Sequence, residues 1–278
     1  MVSLQDMDDS KKKVVVITGG SSGIGLACAF KFGRMGYNVC ISARNEARLR
    51  EAESQLNEAG ITVEGVVGDV GVEEDCKRMI DAAVSRFGRL DVLINNAGIS
   101  MRAFFKDLDI SVIRRLMETN FFGTLYCTKF GMDHLLETKG SVVGVSSVAG
   151  YQGLPGRTGY SASKFAMEGF LKALRLENHN TGLHVMIVCP GYTESNIRKT
   201  ALVADGSKQG ESPREENKMM TAEEVADHIC NGVVAQKKRV VLTTQGKLSY
   251  FLSKFLPGLV DKLVIKTIEK EGNISGKK

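Results

Sequence analysis

Short apolar runs alternate with amphipathic stretches along most of the chain. The runs are continuous rather than alternating, as in Val14-Val15-Val16-Ile17, and a strand without polar alternation is buried on both faces. That pattern belongs to a parallel sheet with helices above and below it. It predicts strands at 13–18, 38–43, 62–67, 91–94, 140–146, 183–188 and 239–243. Helical spacing predicts helices at 23–36, 46–58, 72–87, 108–136, 157–179 and 222–235, the last announced by a capping box of Thr221 and Glu224. The expected fold is α/β: a single-domain, Rossmann-like, doubly wound seven-stranded parallel sheet, with its ligand crevice at the carboxyl ends of the strands.

Two late segments break this rhythm. Residues 204–218 are rich in Gly, Ser and charge, and read as a lid over the crevice or as a plain surface loop. In 247–268, Leu248, Phe251, Leu252, Phe255 and Leu256 fall at helical spacing before Pro257, and Leu259, Val260, Leu263 and Val264 follow it. With lysines at 247, 254, 262 and 266, such a stripe packs on the core or across a subunit interface, caps a substrate, or makes peripheral contact with a membrane. The expected organisation is a flexible N-terminal extension (1–12), a cofactor-binding catalytic domain (13–245) and an amphipathic C-terminal extension of that domain (246–278).

The first strand runs directly into Thr18-Gly19-Gly20-Ser21-Ser22-Gly23-Ile24-Gly25, and a helix follows. Glycines let a pyrophosphate approach main-chain N–H groups at the positive end of the helix dipole. A tight turn alone needs one or two glycines, so this arrangement points to a dinucleotide. About twenty residues further on, an NAD site places an acid against the ribose 2′-hydroxyl. Here the second strand ends Ser42-Ala43-Arg44 instead. Arg44 can pair with a 2′-phosphate and Ser42 can hydrogen-bond it, which makes NADP(H) the expected cofactor.

Tyr160 and Lys164 stand four residues apart, so both rise from one helix face. A neighbouring ammonium favours the phenolate, and the spacing predicts a tyrosine pKa below the ordinary ~10 and a general acid/base at neutral pH. Ser147 lies thirteen residues upstream of Tyr160, after an apolar run.

Composition narrows the partners. The net charge of +5 sits partly in Lys11-Lys12-Lys13 and Lys277-Lys278, without interleaved aromatics, so no nucleic-acid partner is expected. Six cysteines without Cys-x-x-Cys spacing and four histidines without ligand spacing predict reduced core thiols and no metal site. Residues 1–10 do not read as a secretory signal and no apolar stretch reaches the ~20 residues of a membrane span, so the cytoplasm is the expected location.

Taken in order, Thr18-Gly19-x-x-x-Gly23-Ile24-Gly25, Asp69-Val70, Asn95-Asn96-Ala97-Gly98, Asn120, Ser147, Tyr160-x-x-x-Lys164 and Pro190-Gly191 resemble the motif set of the short-chain dehydrogenases/reductases. The resemblance spans residues 14 to about 195. It implies hydride transfer between NADP(H) and a small-molecule carbonyl or alcohol. Tyr160 would protonate the carbonyl oxygen during reduction, Ser147 would steady that oxygen, Lys164 would hold the nicotinamide ribose and depress the Tyr160 pKa, and Asn120 would carry a water to Lys164. The glycine turn, with Ser21 and Ser22, would hold the pyrophosphate. Asp69 and Val70 would line the adenine, Asn96, Ala97 and Gly98 would flank the adenosine, and Ile187 through Ser195 would wrap the nicotinamide.

The family generally has a Thr shortly after Pro-Gly. Here the aligned hydroxyl falls on Ser195, with Thr193 two residues earlier, and either can take the role. The resemblance also implies a homodimer or homotetramer built on the helices near 108–136 and 157–179. Met101, Phe104, Phe105, Leu154 and Tyr192, expected near the crevice, suggest a hydrophobic substrate. A catalytically silent NADP-binding regulator on the same fold is the rival reading, opposed by the presence of Asn120, Ser147, Tyr160 and Lys164 together. A structural or membrane-surface protein using 247–268 is a third.

Overall fold

The computed structural model describes residues 12–191, 193, 197–210 and 219–270. Its strands are β1 (Val14–Thr18), β2 (Asn38–Ala43), β3 (Val63–Val67), β4 (Val92–Asn95), β5 (Ser141–Val145), β6 (His184–Cys189) and β7 (Arg239–Val241). All neighbours pair in parallel, in the order β3-β2-β1-β4-β5-β6-β7. The order reverses between β1 and β4, where a doubly wound sheet opens its crevice.

Alternate residues of each strand feed two separate cores, which is why the strands read as continuous apolar runs. Val15, Ile17, Val39 and Ile41 face one layer, with Phe32 of α1 (Gly23–Arg34) and Leu49 and Leu56 of α2 (Glu46–Glu58). Val14, Val16 and Cys40 face the other, with Met79 and Ile80 of α3 (Glu73–Phe87).

The helix expected over 108–136 is present from Ile110 to Glu137 but is not α-helical throughout. It forms as α4 (Ile110–Met117), a π-helical turn (Glu118–Phe122) and α5 (Gly123–Glu137). The turn inserts where the chain must pass close to the β3–α3 loop: a Cβ on Gly123 would lie 2.9 Å from the Val70 carbonyl oxygen. Such π-turns put an extra residue into the helix wall, often at functional sites. Beyond it follow α6 (Thr158–Glu177), α7 (Ala222–Val234) with the predicted Thr221–Glu224 capping box, α8 (Thr244–Phe255) and α9 (Pro257–Lys270).

The described part of 204–218 lies against the body of the protein rather than away from it. Asp109 N–H donates to the Ala204 carbonyl and Leu202 exchanges backbone hydrogen bonds with Ser100 and Arg102. Residues 211–218 lie outside the described residues.

One carboxylate enters the core under the crevice. Glu168 of α6 is 1% exposed and receives the Arg239 guanidinium at 2.6 Å, the Ser146 hydroxyl at 3.0 Å and the Cys189 thiol at 3.4 Å, with the Lys172 ammonium at 3.3 Å. The cluster joins the ends of β5, β6 and β7. Removing one partner of a buried pair leaves the other charge desolvated without compensation. Glu168→Gln is therefore expected to lower the unfolding free energy by about 3 kcal/mol, read from the denaturant midpoint. Removing the exposed Glu46–Arg50 pair should leave that midpoint unmoved.

Candidate active site

The crevice is framed by a brace between the two diverging strands. The Thr18 hydroxyl, 2% exposed, accepts the N–H groups of Asn96 (3.0 Å) and Ala97 (2.9 Å). The Asn96 amide donates in turn to the Thr18 and Gly19 carbonyls at 3.0 and 3.2 Å. Thr18 and Asn96 thus shape the glycine turn from behind.

The turn itself is a cradle. Gly19 has φ +65°, and a Cβ on Gly25 would overlap the Gly19 carbonyl oxygen and come within 2.6 Å of the Asn96 amide. Ser22 precedes α1 without a side-chain cap, and the first turn of α1 carries no acid. The leading N–H groups and positive dipole end of α1 are therefore left for an anion, and a pyrophosphate fits this opening. Ser21, Ser22 and Gly23 line a cleft of about 350 Å³ whose far wall includes Arg48 of α2. Sequence reasoning missed Arg48; the signal was the Asn45 cap, whose side chain accepts the Arg48 N–H and fixes Arg48 in the first turn of the helix.

At the end of β2 the two expected phosphate partners differ in exposure. Arg44 is half-exposed and lies 3.5 Å from Asp69. Ser42 is only 3% exposed, and its hydroxyl has no partner within the protein. It lines a small, partly open recess with Val66, Gly68, Asp69, Val70, Asp75 and Cys76. Ser42 and Arg44 are two positions apart, so strand alternation puts both on one side of β2, and both lie near Asp69.

Across the crevice, α6 brings Tyr160 and Lys164 together on one face with the Lys164 nitrogen 6.0 Å from the phenol ring centre. Both are buried, at 8% and 3% exposure. Ser147, on the turn after β5, is hydrogen-bonded to the Tyr160 phenol. The Lys164 ammonium donates to the Val145 carbonyl at 2.8 Å. Burial pushes its pKa down to about 8, opposed by Cys189 and Glu168. The predicted depression of the Tyr160 pKa is not what these residues produce: burial raises it, against the Ser147 hydrogen bond and the Arg157 charge. Tyr160 is thus a protonated donor at neutral pH.

Asn120 sits in the π-turn, fully buried, and its amide is bonded to the loop after β4 and to α6. It accepts from Ile99 N–H at 2.8 Å and donates to the Ile99 carbonyl (3.0 Å) and the Ser163 hydroxyl (2.9 Å). Ser163 donates to the Tyr160 carbonyl. The side chain is a bracket between the β4–α4 loop and α6, with no direct bond to Lys164. Gly98 lies between them: a Cβ there would stand 3.2 Å from the Asn120 amide oxygen and 3.5 Å from the Lys164 nitrogen.

Other expected residues divide. Met101 is fully buried and packs with Leu202 and Tyr160, so it backs the site rather than lining it. Phe105 is 60% exposed, and Leu154 packs at the edge of the same cluster. Beyond Pro190, a Cβ on Gly191 would lie 2.9 Å from the Thr243 methyl, and Thr193 is buried with its hydroxyl 3.5 Å from the Gly191 carbonyl. Tyr192 and Ser195 lie outside the described residues.

This arrangement sets a glycine turn and a Tyr160–Lys164 pair on a Rossmann-like parallel sheet. Residues 13–205 match the family profile of the short chain dehydrogenases, and the chain belongs to that family. It is 39% identical over 250 residues to "11-beta-hydroxysteroid dehydrogenase-like 4A" of Arabidopsis thaliana, covering 89% of this chain and 82% of the relative. It is 34% identical over 267 residues to "Dehydrogenase/reductase SDR family member 7B" of Mus musculus, covering 94% and 83%. Among solved structures, a 3-ketoacyl-ACP reductase from Sinorhizobium meliloti 1021 superposes with a TM-score of 0.73 at 28% identity, covering 82% of this chain and 96% of that one. An alcohol dehydrogenase from Thermococcus sibiricus shares the fold at TM-score 0.73 and 24% identity, covering 84% and 96%.

Two glycines with opposite surroundings test the cradle. Gly25→Ala drives a methyl into backbone and should lower the thermal midpoint, whereas Gly169→Ala, in open space on α6, should raise stability by about 0.5–1 kcal/mol.

Proposed function

We propose that the protein reduces a hydrophobic ketone or aldehyde, or oxidises the matching alcohol, with NADP(H) as hydride carrier. The observation that carries this reading is the buried pair of Tyr160 and Lys164, with the half-buried Ser147 beside the phenol, facing the glycine cradle across the crevice. Bound nicotinamide supplies or takes the hydride. The chain's own residues do the rest: Ser147 and Tyr160 hold the carbonyl oxygen, and Tyr160, kept protonated by burial, donates to it as negative charge develops. Lys164, fixed on the Val145 carbonyl, puts a positive charge beside the cofactor ribose. Apolar packing of Ile99, Met101 and Leu202 around the phenol excludes water from the acid. The steroid-dehydrogenase-like name of the Arabidopsis relative supports a bulky apolar substrate.

Arg44 and Arg48 support NADP(H) over NAD(H). The Arg44–Asp69 pair is half-exposed, hence weak, and a 2′-phosphate can displace it. Arg48 of α2 adds a second guanidinium at the cleft beside Ser21 and Ser22. Each guanidinium–phosphate contact contributes on the order of 1.5–3 kcal/mol, roughly ten- to a hundredfold in affinity.

Arg44→Leu and Arg48→Leu should each weaken NADPH binding by at least about tenfold and leave NADH unaffected, and Ala43→Asp with Arg44→Leu should reverse the preference. Equal wild-type affinities in a fluorescence titration would remove the basis for NADP(H). Tyr160→Phe should lower ketone reduction at least ~100-fold with NADPH affinity nearly unchanged, whereas Lys164→Ala loses both.

The pH profile follows from Lys164. Its folded pKa near 8 is depressed, so the charge is present below that value and lost above it. Reduction kcat/KM should hold through neutral pH and decline above about 8. A decline on the acid side instead would reject Lys164 as the charged partner.

A further inference from the structure

Among the described residues, much of the apolar stripe within 247–266 is left uncovered. Seven of the fourteen large apolar side chains exposed among the described residues fall within 248–265. Leu248, Phe251 and Phe255 on α8, and Leu256, Leu259 and Ile265 at and beyond the break, are 46–67% exposed. Leu248, Phe251 and Phe255 recur at i, i+3 and i+7, so they stand on one face. Lys247, Lys254, Lys262 and Lys266, all exposed, flank that face, against a single acid, Asp261.

The helix pair is nevertheless held firmly in place. Val260 is 3% exposed, the Tyr151 hydroxyl donates to the Gly246 carbonyl at 3.0 Å, Tyr151 and Tyr250 meet edge to face at 5.0 Å, and Gln152 donates to Asp261 at 3.1 Å. A core-packing role is therefore carried by these few residues and leaves the aromatic face outward. Tyr151 and Gln152 belong to the turn that follows Ser147, so the outward face lies beside the candidate active site.

We propose that this face docks on an anionic lipid bilayer surface. An interfacial helix needs a row of bulky apolar groups to enter the acyl boundary and lysines beside it to meet lipid phosphates, their stems lying along the apolar surface. Both are present. Among the described residues no helix is long and apolar enough to cross a membrane, and lying in the interface requires none. A second copy of the chain fits less well: a two-fold contact would set the same lysines against themselves, and lysine is depleted from protein interfaces.

The test is co-sedimentation of the full chain with sucrose-loaded vesicles of phosphatidylcholine, with and without about a third phosphatidylserine. Each lysine near an anionic leaflet is worth about fivefold in partitioning, so binding should be strong on the mixed vesicles, weak on phosphatidylcholine alone, and reduced by salt. Phe251→Glu with Phe255→Glu, both exposed and outside the catalytic residues, should abolish sedimentation while leaving turnover of a water-soluble ketone unchanged. Wild-type protein that stays in the supernatant with anionic vesicles, or a double variant that binds as well as wild type, overturns the proposal. So does light scattering in which wild type is an oligomer that the double variant dissociates, which would assign the face to subunit contact. None of these outcomes depends on the redox reading, which soluble-substrate turnover tests separately.

Discussion

Everything in the crevice hangs on the Thr18 hydroxyl, which accepts from two consecutive N–H groups of the β4–α4 loop. β1 and β4 are hydrogen-bonded neighbours through Ile17 and Ile94, yet the chains leaving them must diverge for a ligand to enter. Diverging strands expose backbone donors that a buried site cannot leave unpaired. Thr18 and Asn96 satisfy them from within, so the glycine turn keeps its shape and its outward N–H groups remain available. The braced loop also approaches the Tyr160–Lys164 site: Gly98, having no side chain, leaves open the space beside the Asn120 amide oxygen and the Lys164 nitrogen.

The opposite wall depends on burying charge in a controlled way. Lys164 is held inside by one carbonyl, and its acidity shifts because little else solvates it. Beneath it Glu168 is surrounded by donors from β7, the end of β5 and β6, which lets a carboxylate exist at 1% exposure. Ser146 is one of those donors and Ser147 is its neighbour, so the cluster also sets where the Tyr160 partner stands. Tyr250 of α8 lies over the Arg239 guanidinium, with the ring centre 4.9 Å away, which ties the terminal helices to the same cluster.

The strands were legible in the sequence because burial on both faces removes polar alternation, and the helices because their caps and spacing are local. What stayed hidden was decided by contacts between distant segments. The π-turn at Glu118–Phe122 leaves no mark in a pattern that is helical on both sides; only its packing against Val70 requires it. Met101 reads as a pocket residue until Leu202, a hundred positions away, pairs with it. Ser42 and Arg44 look equivalent at the end of an apolar run, but one is buried and one half-exposed, and Arg48 enters only once α2 turns back toward the glycine loop. Tyr160 and Lys164 were found by spacing, while the direction of the Tyr160 shift was not, because burial outweighs neighbouring charge there.

The Thr18–Asn96 brace also has a kinetic side. It joins residues 78 apart, so during synthesis the glycine turn has no scaffold until β4 has left the ribosome. Closing a loop of that length costs on the order of 4 kcal/mol of chain entropy before the contact returns anything. Pairing of the first three strands and helices shortens the loop that is still open and so lowers that cost for the brace.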